Sequence, residues 1–513
     1  MVTTPSDVRA PGPELSHRGV LKVFSGLMLA MFLGALDQTI VSTAGPKIVG
    51  ELGDLSTLPW IFSVYMLTST ASVPLYGKLS DLYGRRPLLQ IAIAVFIVGS
   101  IAVGLSQDMP QMIAARGLQG LGAGGLVPLS LAVIGDILPP RARGKYQGYI
   151  TSVFALASVA GPLAGGFFVD NLSWRWAFYI NVPLSFLAVV VIRRNLPVTA
   201  RRNEVDIDYA GAALLTFALT SILIVTLFVE SGGLVSAWTI GFTLLGLGSL
   251  VWLRSVERRA AEPMVPPELF SDAVFNVTNA LGFLMGLSLF GALVFLPLFL
   301  QVSQGLSATE SGLSLVPLMA CLTVASLVGG RLLTRIGRYK IFAVVGTGLV
   351  MVGMGGLTTI EVASSPAVIG VLVGLLGAGI GLGMPVLTTA VQNSVPVRHL
   401  GAATSLSQFS RTVGGILGIS VFGAVLTARV LARLDRDQLG GSDVAELIAD
   451  PDKVARLTEP TRAIVRAALA HGVVVVIAIA AVMAVGAFVT SFFLRDAELR
   501  DQLVASAEDS RGA

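Results

Sequence analysis

The chain repeats itself at a nearly fixed distance. Gly120-Leu121-Gly122-Ala123-Gly124-Gly125, closing on Pro128, recurs 257 positions later as Gly377-Ala378-Gly379-Ile380-Gly381-Leu382, closing on Pro385. The register persists through the next loop, where Pro139, Arg141 and Gly144 return as Pro396, Arg398 and Gly401. Upstream, the segment from Gly77 to Arg86 returns as Gly330 to Tyr339, at an offset of 253. Two parallel copies of one design pack as two bodies, and in a membrane protein the seam between them is the natural place for a cavity. That constraint points to a transporter.

Composition supplies the membrane. Hydrophobic residues are 54% of the chain and charged residues only 13%, where a soluble surface needs roughly 25% charged. The 57 glycines suit close helix packing in lipid. One cysteine, Cys321, excludes an internal disulfide and a cysteine metal site. His17, His399 and His471 are too scattered for a metal cluster. No nucleotide-binding loop or pair of catalytic acids is present, so an enzyme, a cofactor and a nucleic-acid partner are all unexpected. A passive channel is possible in principle, and transport that persists after a proton gradient collapses would favour it.

Spans of about 20 apolar residues fall at about 20–46, 57–78, 87–106, 111–135, 145–169, 174–192, 208–230, 236–253, 273–300, 308–330, 340–360, 366–390, 400–427 and 470–494. The expected fold is therefore all-α and membrane-embedded, with fourteen transmembrane helices. Residues 1–19 form a polar tail, 20–192 a six-helix half, and 193–272 a linker carrying two inserted helices. Residues 273–494 form a second six-helix half with a long outer loop at 428–469, and 495–513 a second tail. The first span is too long for a cleavable signal and lacks a cleavage site. With both termini cytoplasmic, 24 of the 35 Lys and Arg fall on the inner side, as the positive-inside rule requires. The 428–469 loop mixes charges with Leu and Ala at helical spacing, which fits either a surface helix or a solvated connector.

Asp37 is the acid placed deepest in a span. A carboxylate there is costly unless it is paired or faces water, so proton coupling is the leading role and a fixed packing partner the alternative. Arg116 in the fourth span is its natural counter-charge. Arg411 in the thirteenth span has no acid near it in sequence, and either meets an anionic substrate group or caps backbone carbonyls. Between the second and third spans lie Gly77, Asp81, Gly84, Arg85 and Arg86. The glycines permit a tight reversal, and the acid among basic groups is a candidate gate between helix ends. Asp81 is Thr334 in the second copy, so that lock is expected to be stronger in the first half. In the fifth span, Gly161, Pro162, Gly165 and Gly166 combine a kink with a small packing face. Gln38, Trp60, Tyr65, Asn181 and Gln301 are further cavity candidates.

These segments carry a resemblance. Leu36-Asp37-Gln38-Thr39-Ile40-Val41, the Gly77–Arg86 loop, Arg116-Gly117-Leu118-Gln119-Gly120, Gly161-Pro162-Leu163-Ala164-Gly165-Gly166 and Trp174-Arg175-Trp176-Ala177-Phe178-Tyr179-Ile180-Asn181-Val182-Pro183 occur in that order. Together they resemble the fourteen-span drug:proton antiporters of the major facilitator superfamily, the EmrB- and QacA-like multidrug exporters, over about residues 20–425. The resemblance implies a monomeric exporter of hydrophobic or cationic amphipathic compounds in a bacterial inner membrane. The lipid bilayer, small substrates and protons would be its partners, and a proton gradient rather than a cofactor would drive it. It assigns Asp37 to coupling, Asp81 and Arg85 to gating, and Gly161-Pro162 to the antiporter kink. Ala157 and Gly45 depart from the family pattern without endangering the class. A dedicated exporter of one endogenous metabolite, lipid or antibiotic remains the alternative.

Overall fold

The computed structural model describes residues 17–52, 58–197, 208–232, 236–257, 263, 265–304, 306, 308–360, 364–433 and 459–500. The first half contains α1 (His17–Leu52), α2 (Leu58–Tyr83), α3 (Arg85–Leu105), α4 (Met109–Ile137), α5 (Pro140–Asn171), the short α6 (Trp176–Tyr179) and α7 (Asn181–Asn195). The inserted pair is α8 (Tyr209–Gly232) and α9 (Ala237–Glu257). The second half contains α10 (Ala273–Gln304), the short α11 (Ala308–Leu313), α12 (Val316–Ile336), α13 (Lys340–Leu357), α14 (Pro366–Ser394), α15 (Leu400–Leu431) and α16 (Glu459–Phe492).

Twelve of the described helices are long and apolar enough to cross a membrane. Helix α2 is less apolar because Ser63, Thr68, Ser69, Thr70 and Ser72 interrupt it. With α8 it completes fourteen long helices. Two expected spans are broken. The 174–192 segment divides at Ile180 into α6 and α7, and the 308–330 segment into α11 and α12. Pro317 stands in the first turn of α12, where its missing N–H costs no helical bond. Most of the 428–469 loop, and with it any surface helix there, lies outside the described residues.

The two copies share one packing scheme. Helix α1 packs on α5 and α7, α2 on α4, and α3 on α4 and α7. In the second half α10 packs on α15 and α16, α12 on α14, and α13 on α14 and α16. The repeated glycines explain the match. A Cβ at Gly120 or Gly124 would strike the α2 backbone, and one at Gly122 the α3 backbone. Their counterparts Gly377 and Gly381 meet the α12 backbone, and Gly379 meets α13. Each glycine run thus lets one helix lie against two neighbours at backbone distance. The two positive-φ glycines among the described residues are Gly84 (φ 94°) and Gly337 (φ 72°). They occupy equivalent places in the two copies, and each turns the chain between adjacent long helices.

Each half has its own apolar core. Leu27, Met31, Phe96, Leu126 and Ala188 are among the buried residues of the first, and Met285, Phe299, Val373, Val476 and Ala484 of the second. Between halves, α5 packs on α12 and α2 on α15. The inserted pair leans on the outside of one seam. Leu215 and Leu219 of α8 and Leu253 of α9 form a cluster with Leu75 of α2 and Phe409 of α15.

The chain then crosses the end of the bundle that carries Gly84 and Gly337, hereafter the basic end. Leu494 and Leu499 are buried there. The Leu499 amide donates to Gly337 O at 2.8 Å, the Arg500 amide to Asn393 Oδ1 at 3.1 Å, and the Arg141 amide to Arg500 O at 3.4 Å. Residues 493–500 therefore form a strap that touches both halves.

Candidate functional site

Asp37 lies near the middle of α1 with no exposed surface. Its Oδ2 receives Arg116 Nη1 of α4 at 2.7 Å. Its Oδ1 receives Gln119 Nε2 at 2.7 Å and Asn181 Nδ2 of α7 at 2.9 Å. Gln119 also donates to Ser100 Oγ of α3 at 2.7 Å, and Arg116 Nη1 to Gln119 Oε1 at 2.6 Å. The guanidinium stacks 4.1 Å from the centre of the Tyr65 ring on α2 and donates from Nε to Ile61 O at 3.3 Å. Five helices of the first half thus meet at one buried carboxylate. In so dry a place a charge persists only when paired and hydrogen-bonded, and both conditions are met. The Asp37–Arg116 pair therefore ties α1 to α4, and neither charge has another ionic partner among the described residues.

Several cavity candidates belong to this network instead. Tyr65 is 1% exposed and Asn181 fully buried, so neither faces an open cavity in this conformation. Gln38 is exposed, and Trp60 is 46% exposed near the start of α2. Gln301 donates to Ser311 Oγ of α11 at 2.9 Å, an intra-half contact.

The second assembly closes the basic end. Asp81, at the end of α2, reaches into the other half, where its Oδ1 accepts from the Gly401 amide at 3.0 Å and its Oδ2 from the Ala402 amide at 2.8 Å. These N–H groups open α15 and have no intrahelical acceptor. The carboxylate satisfies them and sits at the positive end of the helix dipole. Arg85 Nη1 pairs with Asp81 Oδ1 at 2.6 Å, and Arg85 Nε with Asp136 Oδ2 at 2.8 Å. Gly77 and Gly401 are in contact, and a Cβ on either would collide across the seam. Arg86 donates to Leu196 O at 3.1 Å within its own half and takes no part in the lock.

Asp136 was not singled out by its sequence. Its signal is the repeat: 257 residues on stands Asn393, which binds the strap through Glu498 O at 3.2 Å. Arg143 is another residue of this seam that the sequence did not mark. It is 2% exposed and donates to Gln392 Oε1 of α14 at 2.9 Å. Gln392 returns the link by donating to Leu131 O of α4 at 3.1 Å. On the far seam, Arg141 Nε donates to Thr334 O at 3.0 Å, while the Thr334 hydroxyl is turned to Gly330 O of its own helix. Farther along, Thr151 and Ser326 hydroxyls meet at 2.7 Å.

In α5, a Cβ at Gly161 would strike Thr39 of α1, whereas one at Gly166 would meet nothing. Gly165 is buried, and the Pro162 side chain is outside the described residues. Helix α5 continues through this segment. The packing face of the motif is therefore centred on Gly161.

Residues 27–419 match the Major Facilitator Superfamily model. The chain belongs to that superfamily. It is 40% identical over 413 residues to the multidrug transporter protein MdtP of Bacillus subtilis, covering 79% of this chain and 75% of that one. It is 33% identical to multidrug resistance protein 3 of the same organism, covering 84% and 85%. Among solved structures, the proton:xylose symporter XylE superposes with a TM-score of 0.63 at 13% identity, covering 94% of this chain and 97% of that one. The likeness to XylE shows the fold: an all-α major facilitator protein. A member of this superfamily is a membrane transporter and not an enzyme, and no cofactor is needed for such transport.

Proposed function

We propose that this protein is a proton-coupled antiporter that exports hydrophobic or cationic amphipathic compounds from the cell. The observation that carries the reading is the Asp37 centre, a buried carboxylate bonded to α4 and α7 and joined through Arg116 and Gln119 to α2 and α3. The names of the two Bacillus relatives support the drug-export class. In this reading both termini are cytoplasmic, because the basic residues cluster at that end. The closed contacts at the basic end then correspond to a conformation sealed from the cytoplasm. Protonation of Asp37 from the outer side releases Arg116, loosens the five-helix junction and favours opening at the opposite end. Asp81, Arg85 and Asp136 hold the sealed state until that happens.

The test is proton-driven efflux in vesicles, together with substrate-induced proton release from purified protein. Asp37→Asn should abolish both while leaving substrate binding, since the amide resembles the protonated acid. Asp37→Glu should retain partial efflux with a shifted pH profile. Full uphill efflux by Asp37→Asn would overturn the coupling role.

A further inference from the structure

Arg411 is a half-buried cation that takes no part in the Asp37 centre or the Asp81 contacts. The other arginines held inside the first half have carboxylates: Arg116 pairs with Asp37, and Arg85 with Asp81 and Asp136. Arg143 lies at a helix end and donates to the carbonyls of Leu138 and Gly135. Arg411 does neither. Its Nη2 donates to Gln408 Oε1, and its Nη1 lies 3.7 Å from Met384 Sδ. Among the described residues no carboxylate pairs with it. Both contacts are neutral side chains, so capping of backbone carbonyls does not account for it.

The guanidinium borders a recess at the seam between the halves. Leu131 of α4 closes one side, and Thr278, Met384, Thr388, Ser407 and Gln408 from the second half close the rest. None of these is acidic, and Gly282 of α10 faces the base of the Arg411 side chain, where an added Cβ would lie 3.9 Å from Arg411 Cβ. Ser407 stands one helical turn before Arg411 on the same face, and its hydroxyl is buried without a hydrogen-bond partner. Two donors therefore border one space, at the position where two-half transporters bind their cargo. An arginine stays ionised and offers a fork matched to a carboxylate or sulfonate. In a recess that takes the cation partly out of water, an unneutralised charge is unfavourable, and an anionic ligand offsets that penalty.

We propose that Arg411 and Ser407 form an anion subsite that receives the carboxylate or sulfonate of an amphipathic substrate. The proposal rests on the export reading and extends its cargo to compounds with a negative group beside an apolar body. It also predicts discrimination between dyes that share a ring system and differ in charge.

The test is binding of fluorescein and rhodamine 6G to the full-length protein in nanodiscs, without a proton gradient. Fluorescein carries a free carboxylate; rhodamine 6G is an esterified cation. The wild type should bind fluorescein. Arg411→Gln should weaken that binding by about thirtyfold or more and strengthen rhodamine 6G binding by removing a repulsive charge. Arg411→Lys should keep most of the fluorescein affinity, and Ser407→Ala should lose part of it. No fluorescein binding by the wild type would overturn the subsite. So would equal weakening of both dyes by Arg411→Gln, or full retention of fluorescein by that variant. Replacing gluconate with chloride separates the two sources of negative charge. Complete displacement of fluorescein by chloride would make the occupant an inorganic anion and overturn the substrate assignment. Loss of proton-driven export with intact fluorescein binding would instead refute the antiporter reading alone.

Discussion

Asp81→Asn is the most informative perturbation of the gate, because its cost is set by two hydrogen bonds across the seam. The carboxylate accepts the Gly401 and Ala402 amides with separate oxygens. Bonds of this charged kind contribute about 1.5–3 kcal/mol each. An asparagine keeps one neutral acceptor and turns its NH₂ toward the other donor, so the sealed state loses about 2–4 kcal/mol. At 1.4 kcal/mol per tenfold, the population shifts toward opening by about 30- to 1,000-fold. Thr334→Ala is the control, because the contact there is made by the Thr334 carbonyl and its hydroxyl faces its own helix. Spin labels at Lys22 and Ile341, exposed positions in different halves, report the separation at the basic end in a Cys321→Ser background. Asp81→Asn should add a population at longer distance and cripple efflux with normal membrane abundance. An unchanged distance distribution, or an equal change from Thr334→Ala, would refute the argument.

Removing one partner of the Asp37–Arg116 pair leaves a buried charge, so Arg116→Gln should lower stability by about 3–5 kcal/mol, read as thermal unfolding in detergent. The double variant with Asp37→Asn should recover much of that loss; an additive loss would count against the pairing. Gly337→Ala, in the left-handed helical region, should cost about 1–2 kcal/mol, and Gly84→Ala, at φ 94° and ψ 154°, about 1–3 kcal/mol, measured the same way. Gly161→Leu should separate α5 from α1 and abolish efflux, whereas Gly166→Leu should be tolerated. Equal damage at both would deny the motif its one-sided packing role.

The architecture was legible because its determinants are periodic. Span-length apolar runs, the glycine register and the paired offsets survive without any tertiary information. Asp37 and Arg116 were legible for a related reason, since an ion inside a span needs a partner and the chain offers few. The neutral members of the centre were not. Ser100 and Gln119 are ordinary residues in a membrane helix, and only the meeting of α1, α3 and α4 gives them a role. Asn181 and Tyr65 drew notice as polar or aromatic, but the helix faces carrying them turn toward Asp37 and not toward the seam. The breaks before α7 and α12 were hidden because they span only Ile180 and residues 314–315, which leaves the hydropathy almost unchanged.

The strap makes the two halves of the closure unequal in kind. On the first side the charges are sealed from water, with Arg85 and Asp81 exposing 3% and 4% of their side chains. At the equivalent place in the second copy, Arg338 is 57% exposed and is met by Asp496 and Glu498 of the strap at 3.6 and 3.5 Å. Solvent-facing pairs of that sort are weak and fade with ionic strength. Those pairs seat the strap on its own half, and the strap in turn carries the Arg500 carbonyl that accepts the Arg141 amide of the other half at 3.4 Å. Salt at the basic end would then act on the closure indirectly, by loosening the seat of these eight residues and not the buried charges beside Asp81.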